Sequence, residues 1–88
     1  MAAHRRGMEP PAAVTIEHWW GCGYPDAAAR LASEIEGALG LSVRTVQVDE
    51  ERAFTLRVGG GVVLTRAARG RLPTPDEALD AVAAAARR

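Results

Sequence analysis

The chain has 88 residues, and its eleven Arg balance eleven Asp plus Glu to a net charge of zero; nucleic-acid binding, which needs surplus positive charge, is excluded as its main work. Eighteen Ala and a single Phe promise a thin core, in a chain that buries only about 60% of its unfolded surface, so close packing or dimerisation must stabilise it. No apolar run is long enough to cross a membrane, and the single cysteine, Cys22, excludes an intrachain disulfide.

Residues 1 to 13 (MAAHRRGMEPPAA) carry an Arg pair and a Pro pair but no hydrophobic period. No apolar run follows the arginines, so this is no signal peptide. A disordered leader on a cytoplasmic protein is expected, with Met8 as an alternative start. Val14 to His18 alternate and predict strand one, which ends in Trp19-Trp20. Gly21-Cys22-Gly23-Tyr24 is a turn-rich connector. Pro25-Asp26 then opens a helix, since Pro is tolerated in a first turn and Asp suits the positive end of the dipole. Ala28, Leu31, Ile35 and Leu39 fall on one buried face. Asp26, Arg30 and Glu34 fall on another at the spacing of solvated ion pairs, and Gly40 ends the helix.

Leu41 to Val48 predict strand two. Its apolar register shifts between Val43 and Val46, which implies a bulge or an early end. Asp49-Glu50-Glu51-Arg52 is a charged loop. Phe54, Leu56 and Val58 alternate with Thr55 and Arg57 as strand three. Gly59-Gly60-Gly61 is a hairpin turn and not a phosphate loop, because strand four (Val62 to Arg66) and no helix follows it. A basic loop runs from Arg66 to Pro73. Thr74-Pro75-Asp76-Glu77 has the form of a capping box opening a last helix through Leu79 and Val82.

The order is therefore β-α-β-β-β-α. A right-handed crossover makes strands one and two parallel, and the hairpin makes three and four antiparallel. Thr15, Glu17, Ser42, Arg44, Thr55, Arg57 and Thr65 make one half of every strand polar, with Val63 the exception. One wet sheet face follows, with both helices on the other. The expectation is a two-layer α/β (α+β) domain over residues 14 to 88, with a four-stranded mixed sheet in the order 2-1-3-4. Leu31, Ile35, Phe54, Leu56, Leu79 and Val82 should fill its core.

Cys22 lies between a strand end and a helix N-terminus, where unpaired backbone N–H groups and the dipole favour a thiolate. Gly21 and Gly23 leave its sulfur open to approach. A buried structural cysteine is the alternative. His18, on the same side of strand one as Val14 and Ile16, could support the thiolate as an imidazolium or be a hydrogen-bonded core residue. Alternation points one of Trp19 and Trp20 inward and leaves the other to anchor a partner. Arg66, Arg69 and Arg71 precede the last helix and form a candidate anion site for the carboxylate of a small thiol; an ordinary solvated loop is the alternative. Two His and one Cys make no metal-ligand set, and no cofactor is expected.

Ile16-Glu17-His18, Trp19-Trp20-Gly21-Cys22-Gly23-Tyr24, the run Phe54-x-Leu56-x-Val58-x-Gly60-x-x-Leu64-x-Arg66, and Gly70-Arg71-Leu72-Pro73 resemble the selenoprotein W/T/H (Rdx) family. The resemblance spans about residues 14 to 86. It implies a thioredoxin-like fold and a Cys-x-x-Cys or Cys-x-x-selenocysteine redox motif, followed by Gly and often an aromatic residue. Matching Gly23-Tyr24 to that tail sets Cys22 on the second, selenocysteine-equivalent position and Trp19 on the first. Dithiol chemistry is then absent, and any redox function is monothiol, resolved by a low-molecular-weight thiol or a protein partner. A redox-inactive interaction module, binding protein through the Trp19-Trp20 loop, is the second reading. In another register Cys22-Gly23-Tyr24-Pro25 is similar to the Cys-x-x-x of monothiol glutaredoxins, but no Pro precedes strand three.

Overall fold

The computed structural model describes residues 13 to 87; the expected leader, apart from Ala13, lies outside the described residues. Strand β1 (Val14–Trp19) is followed by α1 (Tyr24–Leu39), β2 (Val43–Val48), β3 (Phe54–Val58), β4 (Gly61–Thr65), a single turn of helix α2 (Arg66–Arg69) and α3 (Pro75–Ala86). The sheet order is β2-β1-β3-β4. β1 runs parallel to β2 and antiparallel to β3, which pairs antiparallel with β4. This is the thioredoxin-like β-α-β-β-β-α arrangement, with α2 as an addition to the last connection.

Alternation decides what lies beneath the helices. Val14, Ile16 and His18 of β1 are buried, as are Phe54 and Leu56 of β3. Thr15, Glu17, Thr55 and Arg57, one residue out of phase, are half-buried. α1 and α3 touch each other, and each packs on sheet strands, so they share the face carrying the buried set. Ala28 of α1 and Ala78 of α3 are completely buried. Their methyl groups let the two helices approach the sheet closely, which is how an Ala-rich chain reaches adequate packing density. On the other face a Glu17–Arg57 ion pair spans β1 and β3 at 3.2 Å.

The turns follow from glycine. Gly59 and Gly60 both have positive φ, at 60° and 89°, as the two central residues of a type I′ hairpin require. Gly40 closes α1 in the left-handed conformation with its N–H on the Glu36 carbonyl. The Glu36 carboxylate then accepts the backbone N–H of Val43 at 3.0 Å, tying the end of α1 to the start of β2. α3 opens with the expected capping box: Glu77 N–H donates to the Thr74 hydroxyl, and Thr74 N–H to the Glu77 carboxylate.

Four expectations are corrected. β2 contains no bulge against β1 and does not end early, because its ladder is continuous from Val14↔Val43 to Trp19↔Val48. Instead Val46 and Val48 stand opposite Glu17 and Trp19, out of phase with the inward-facing Val43. An edge strand lined on one side only tolerates such a mixed pattern. The bulge is in the β3–β4 pair, between Leu56 and Arg57, and it lets Val63 and Leu64 both pack on the core. That explains Val63 as the break in polar alternation. The basic loop begins as helix α2, capped by the Thr65 hydroxyl and ended by Gly70 at φ 81°. In α3 the buried residues are Ala78 and, as expected, Val82, whereas Leu79 is half-buried at the edge of the core. Asp26, Arg30 and Glu34 form no ion pairs with one another, since long exposed side chains gain little from holding one geometry.

Phe54 is 2% exposed and is the only phenylalanine of the chain. Phe54→Ala is expected to cost about 3–5 kcal/mol, read as a fall in the urea midpoint; Thr74→Ala, at the α3 cap, should cost about 1 kcal/mol.

Candidate functional site

β1 is a central strand, so its C-terminal end is fixed on both sides. Trp19 N–H donates to the Ala53 carbonyl at 2.9 Å, extending the β1–β3 ladder past its last paired residue. The chain then turns through Trp20 to Gly23 and enters α1, with Tyr24 N–H on the Gly21 carbonyl at 3.0 Å. Cys22 is exposed at the outside of this turn. Its φ of 52° and that of Gly23, 75°, are both left-handed. For a residue with a β-carbon that conformation costs about 1–2 kcal/mol, so the surrounding structure, and not Cys22 itself, holds the turn.

What holds it is aromatic. Trp19 stacks at a tilt on Trp20, ring centroids 5.3 Å apart. The same ring meets Tyr24 edge-on at 5.7 Å, and Tyr24 meets Phe54 edge-on at 6.1 Å. Tyr24 and Phe54 are core residues, Trp19 is half-buried against them, and Trp20 is 57% exposed. Four aromatic rings thus run from solvent to the core beside the thiol, at separations where such pairs attract. Gly21 is needed beneath them: a β-carbon there would lie 2.8 Å from the Trp19 indole. One tryptophan, Trp19, is therefore turned inward and the other, Trp20, outward.

His18 is buried under the helices, and its Nδ1 lies 3.0 Å from the Trp19 carbonyl oxygen. Because a carbonyl only accepts, Nδ1 carries the proton, and the ring is held by backbone beneath the loop. Of the three arginines before α3, Arg71 donates to the Glu77 carboxylate through both terminal guanidinium nitrogens, Nη1 and Nη2, at 2.8 and 2.7 Å. That hydrogen bond and the carboxylate's charge raise the already high pKa of Arg71 further. Arg66 is half-buried in α2, and the Arg69 side chain lies outside the described residues. Among the described residues no group of three metal-ligating side chains occurs, and no helix is long and apolar enough to cross a membrane.

One feature has no signature in the sequence. Between the start of α1 and the connection into α3 is a pocket of about 120 Å³, lined by Ala27, Arg30, Leu31, Phe54, Leu72, Pro73 and Pro75. Ala27, Arg30 and Leu31 share one helix face at i, i+3, i+4, but only the fold brings the Leu72-Pro73 segment opposite them. A periodicity argument assigns Leu31 to the core and Arg30 to solvent and stops there.

No family model matches the chain, and no curated protein matches it. Solved structures do. The selenoprotein W-related protein of Vibrio cholerae superposes with a TM-score of 0.79 at 17% identity, over 85% of this chain and 96% of that one. A Bordetella parapertussis protein superposes with a TM-score of 0.80 at 22% identity, over 86% of this chain and 99% of that one.

Gly21→Ala must push the Trp19 ring outward. It is expected to lower stability by about 1–3 kcal/mol and to change the near-ultraviolet circular dichroism of the aromatic stack. Near the C-terminal end of its central strand the chain thus carries an exposed thiol on an aromatic-braced turn, in the fold of a selenoprotein W-related protein.

Proposed function

We propose that the chain is a selenoprotein W-like thiol protein that acts through Cys22 alone. The observation that carries this reading is the exposed sulfur on the turn between β1 and α1, at the place where the sequence resemblance sets the family's selenocysteine-equivalent position. The left-handed φ of Cys22 adds support, since a glycine would be cheaper there and strained backbone concentrates at functional sites.

The chemistry is a thiol–disulfide exchange. The Cys22 thiolate attacks one sulfur of a disulfide. A new S–S bond joins Cys22 to that sulfur, the old S–S bond breaks, and the departing sulfur leaves as a thiolate that takes up a proton. With a peroxide the thiolate attacks oxygen, the O–O bond breaks, and Cys22 becomes a sulfenic acid while the leaving oxygen departs as hydroxide and is protonated. A thiol then condenses with the sulfenic acid, releasing water. Both routes end in a mixed disulfide. No second cysteine exists to resolve it, so an external thiol, small or protein-borne, must attack and free Cys22. His18 takes no part in proton transfer on this account. Its ring supports the loop through the Trp19 carbonyl.

A redox-inactive interaction module is the second reading, and the exposure of Trp20 favours it. Incubation with glutathione disulfide and intact mass measurement separates the two. Wild type should gain one glutathionyl group that a reductant removes, and Cys22→Ser should gain none. An unmodified wild-type mass would leave the interaction module standing.

The register has its own test. Trp19→Cys should create a Cys-x-x-Cys pair that loses two hydrogens on mild oxidation and regains them on reduction, because a disulfide closes only with Cα atoms about 4.4–6.8 Å apart. Removing the half-buried indole should cost at most the about 3–5 kcal/mol of a buried tryptophan. A folded variant that keeps both hydrogens would show that Trp19 does not occupy the first thiol position.

A further inference from the structure

The pocket between α1 and the α3 connection is lined by six apolar residues, among them Leu31, Phe54 and Leu72, and by Arg30. Its volume of about 120 Å³ suits one branched aliphatic side chain, since an apolar cavity of about 150 Å³ takes up a benzene-sized guest. Arg30 is exposed and forms no ion pair with a described residue, whereas nearby Arg71 is committed to Glu77. The pocket also adjoins the thiol loop. Ala27 lies in the first turn of α1 with its N–H on the Gly23 carbonyl, directly after Cys22, and Phe54 is the last ring of the aromatic series.

We propose that this pocket docks a segment of a partner protein in which a branched aliphatic residue is followed by an aspartate or glutamate, close to the cysteine that exchanges with Cys22. The aliphatic side chain fills the space above Phe54 and Leu31, and the carboxylate pairs with Arg30. The proposal rests on the thiol-exchange reading for its link to Cys22 and on the pocket alone for the choice of segment. It makes the protein selective: small disulfides reach Cys22 unaided, whereas a protein disulfide reacts fast only when its flanking residues fit.

The test uses short peptides whose single cysteine carries a thiopyridyl mixed disulfide, with Leu-Asp, Ala-Asp or Leu-Lys beside it. Attack by Cys22 joins it to the peptide sulfur and releases the pyridyl thiolate, whose absorbance reports the rate. Each rate is divided by that of the same variant with dithiodipyridine, which has no residues to dock. In wild type the Leu-Asp peptide should react about tenfold faster than Ala-Asp, the factor for burying most of a leucine side chain. Ala27→Leu, which fills the pocket, should bring that ratio to about one. Arg30→Glu, a surface change, should reverse the preference between Leu-Asp and Leu-Lys by about two- to fivefold, as an exposed ion pair allows. Equal wild-type rates for Leu-Asp and Ala-Asp, or a ratio that survives Ala27→Leu, would overturn the docking site. If Cys22 fails to react even with dithiodipyridine, the redox reading falls and the pocket is judged separately. The Leu-Asp peptide with Ser in place of Cys is then titrated against the protein by nuclear magnetic resonance. Saturable shifts at Leu31 and Leu72 that Ala-Asp does not produce would sustain the pocket, and their absence would remove it.

Discussion

Strand β1 sits between a parallel and an antiparallel neighbour, and its inward residues Val14, Ile16 and His18 lie beneath the helices almost without solvent contact. That burial is the constraint on which the site depends. A central strand cannot shift by one residue without turning its whole buried set toward water. Its end at Trp19 is therefore a fixed point, and the turn leaving it starts from a known place and direction. α1 is fixed in its turn by Ala28, Leu31 and Ile35, all buried against the sheet. Only four residues, Trp20 to Gly23, lie between the two elements. The position of Cys22 is thus set by packing at both ends of a short span.

The aromatic series answers a second requirement. The turn uses two consecutive left-handed residues, one of them Cys22, and such a backbone relaxes unless its surroundings hold it. Edge-on and tilted ring contacts from Trp20 to Phe54 join the turn to the core, each contributing about 0.5–1.5 kcal/mol beyond simple burial. The hydrogen bond from His18 to the Trp19 carbonyl secures the same point from below. A loop braced in this way can present a sulfur to solvent without losing its shape.

The element order, the sheet order and the single covered face were legible in the sequence because each rests on a strong local signal: the Gly59-Gly60 turn, the Thr74–Glu77 cap and the polar alternation of β3. The errors fall where such signals are weak. In α3 six of the twelve residues are Ala, which erases the periodicity that would separate Ala78 from Leu79. On β2, an edge strand, Val46 and Val48 can face either way at small cost. α2 is too short for any pattern, although Thr65 and Gly70 mark its two ends. At the site, alternation from Val14, Ile16 and His18 says only that one tryptophan turns inward and on its own would choose Trp20, but the strand ends at Trp19 and the turn leaves Trp20 outside; Tyr24 was hidden in a turn-rich motif. The pocket opposite Arg30 was illegible because its two walls lie some forty residues apart in the chain.

On the proposed register, the tryptophan at position 19 changes what the fold can do as well as what it lacks. A first cysteine there would be small and reactive; an indole is large, half-buried and joined to Tyr24. It converts a place for bond exchange into part of the core. On the proposed thiol-exchange reading, a mixed disulfide at Cys22 would have no internal exit, and its lifetime would be set by whichever external thiol reached it. A long-lived adduct makes the identity of the partner matter more than it does for a dithiol, which releases any substrate by itself. Selection of the partner before exchange is therefore the property that reading requires of the site. On the docking proposal, the exposed guanidinium of Arg30, which pairs with no described residue, and the aliphatic-sized pocket beside it would supply that selection.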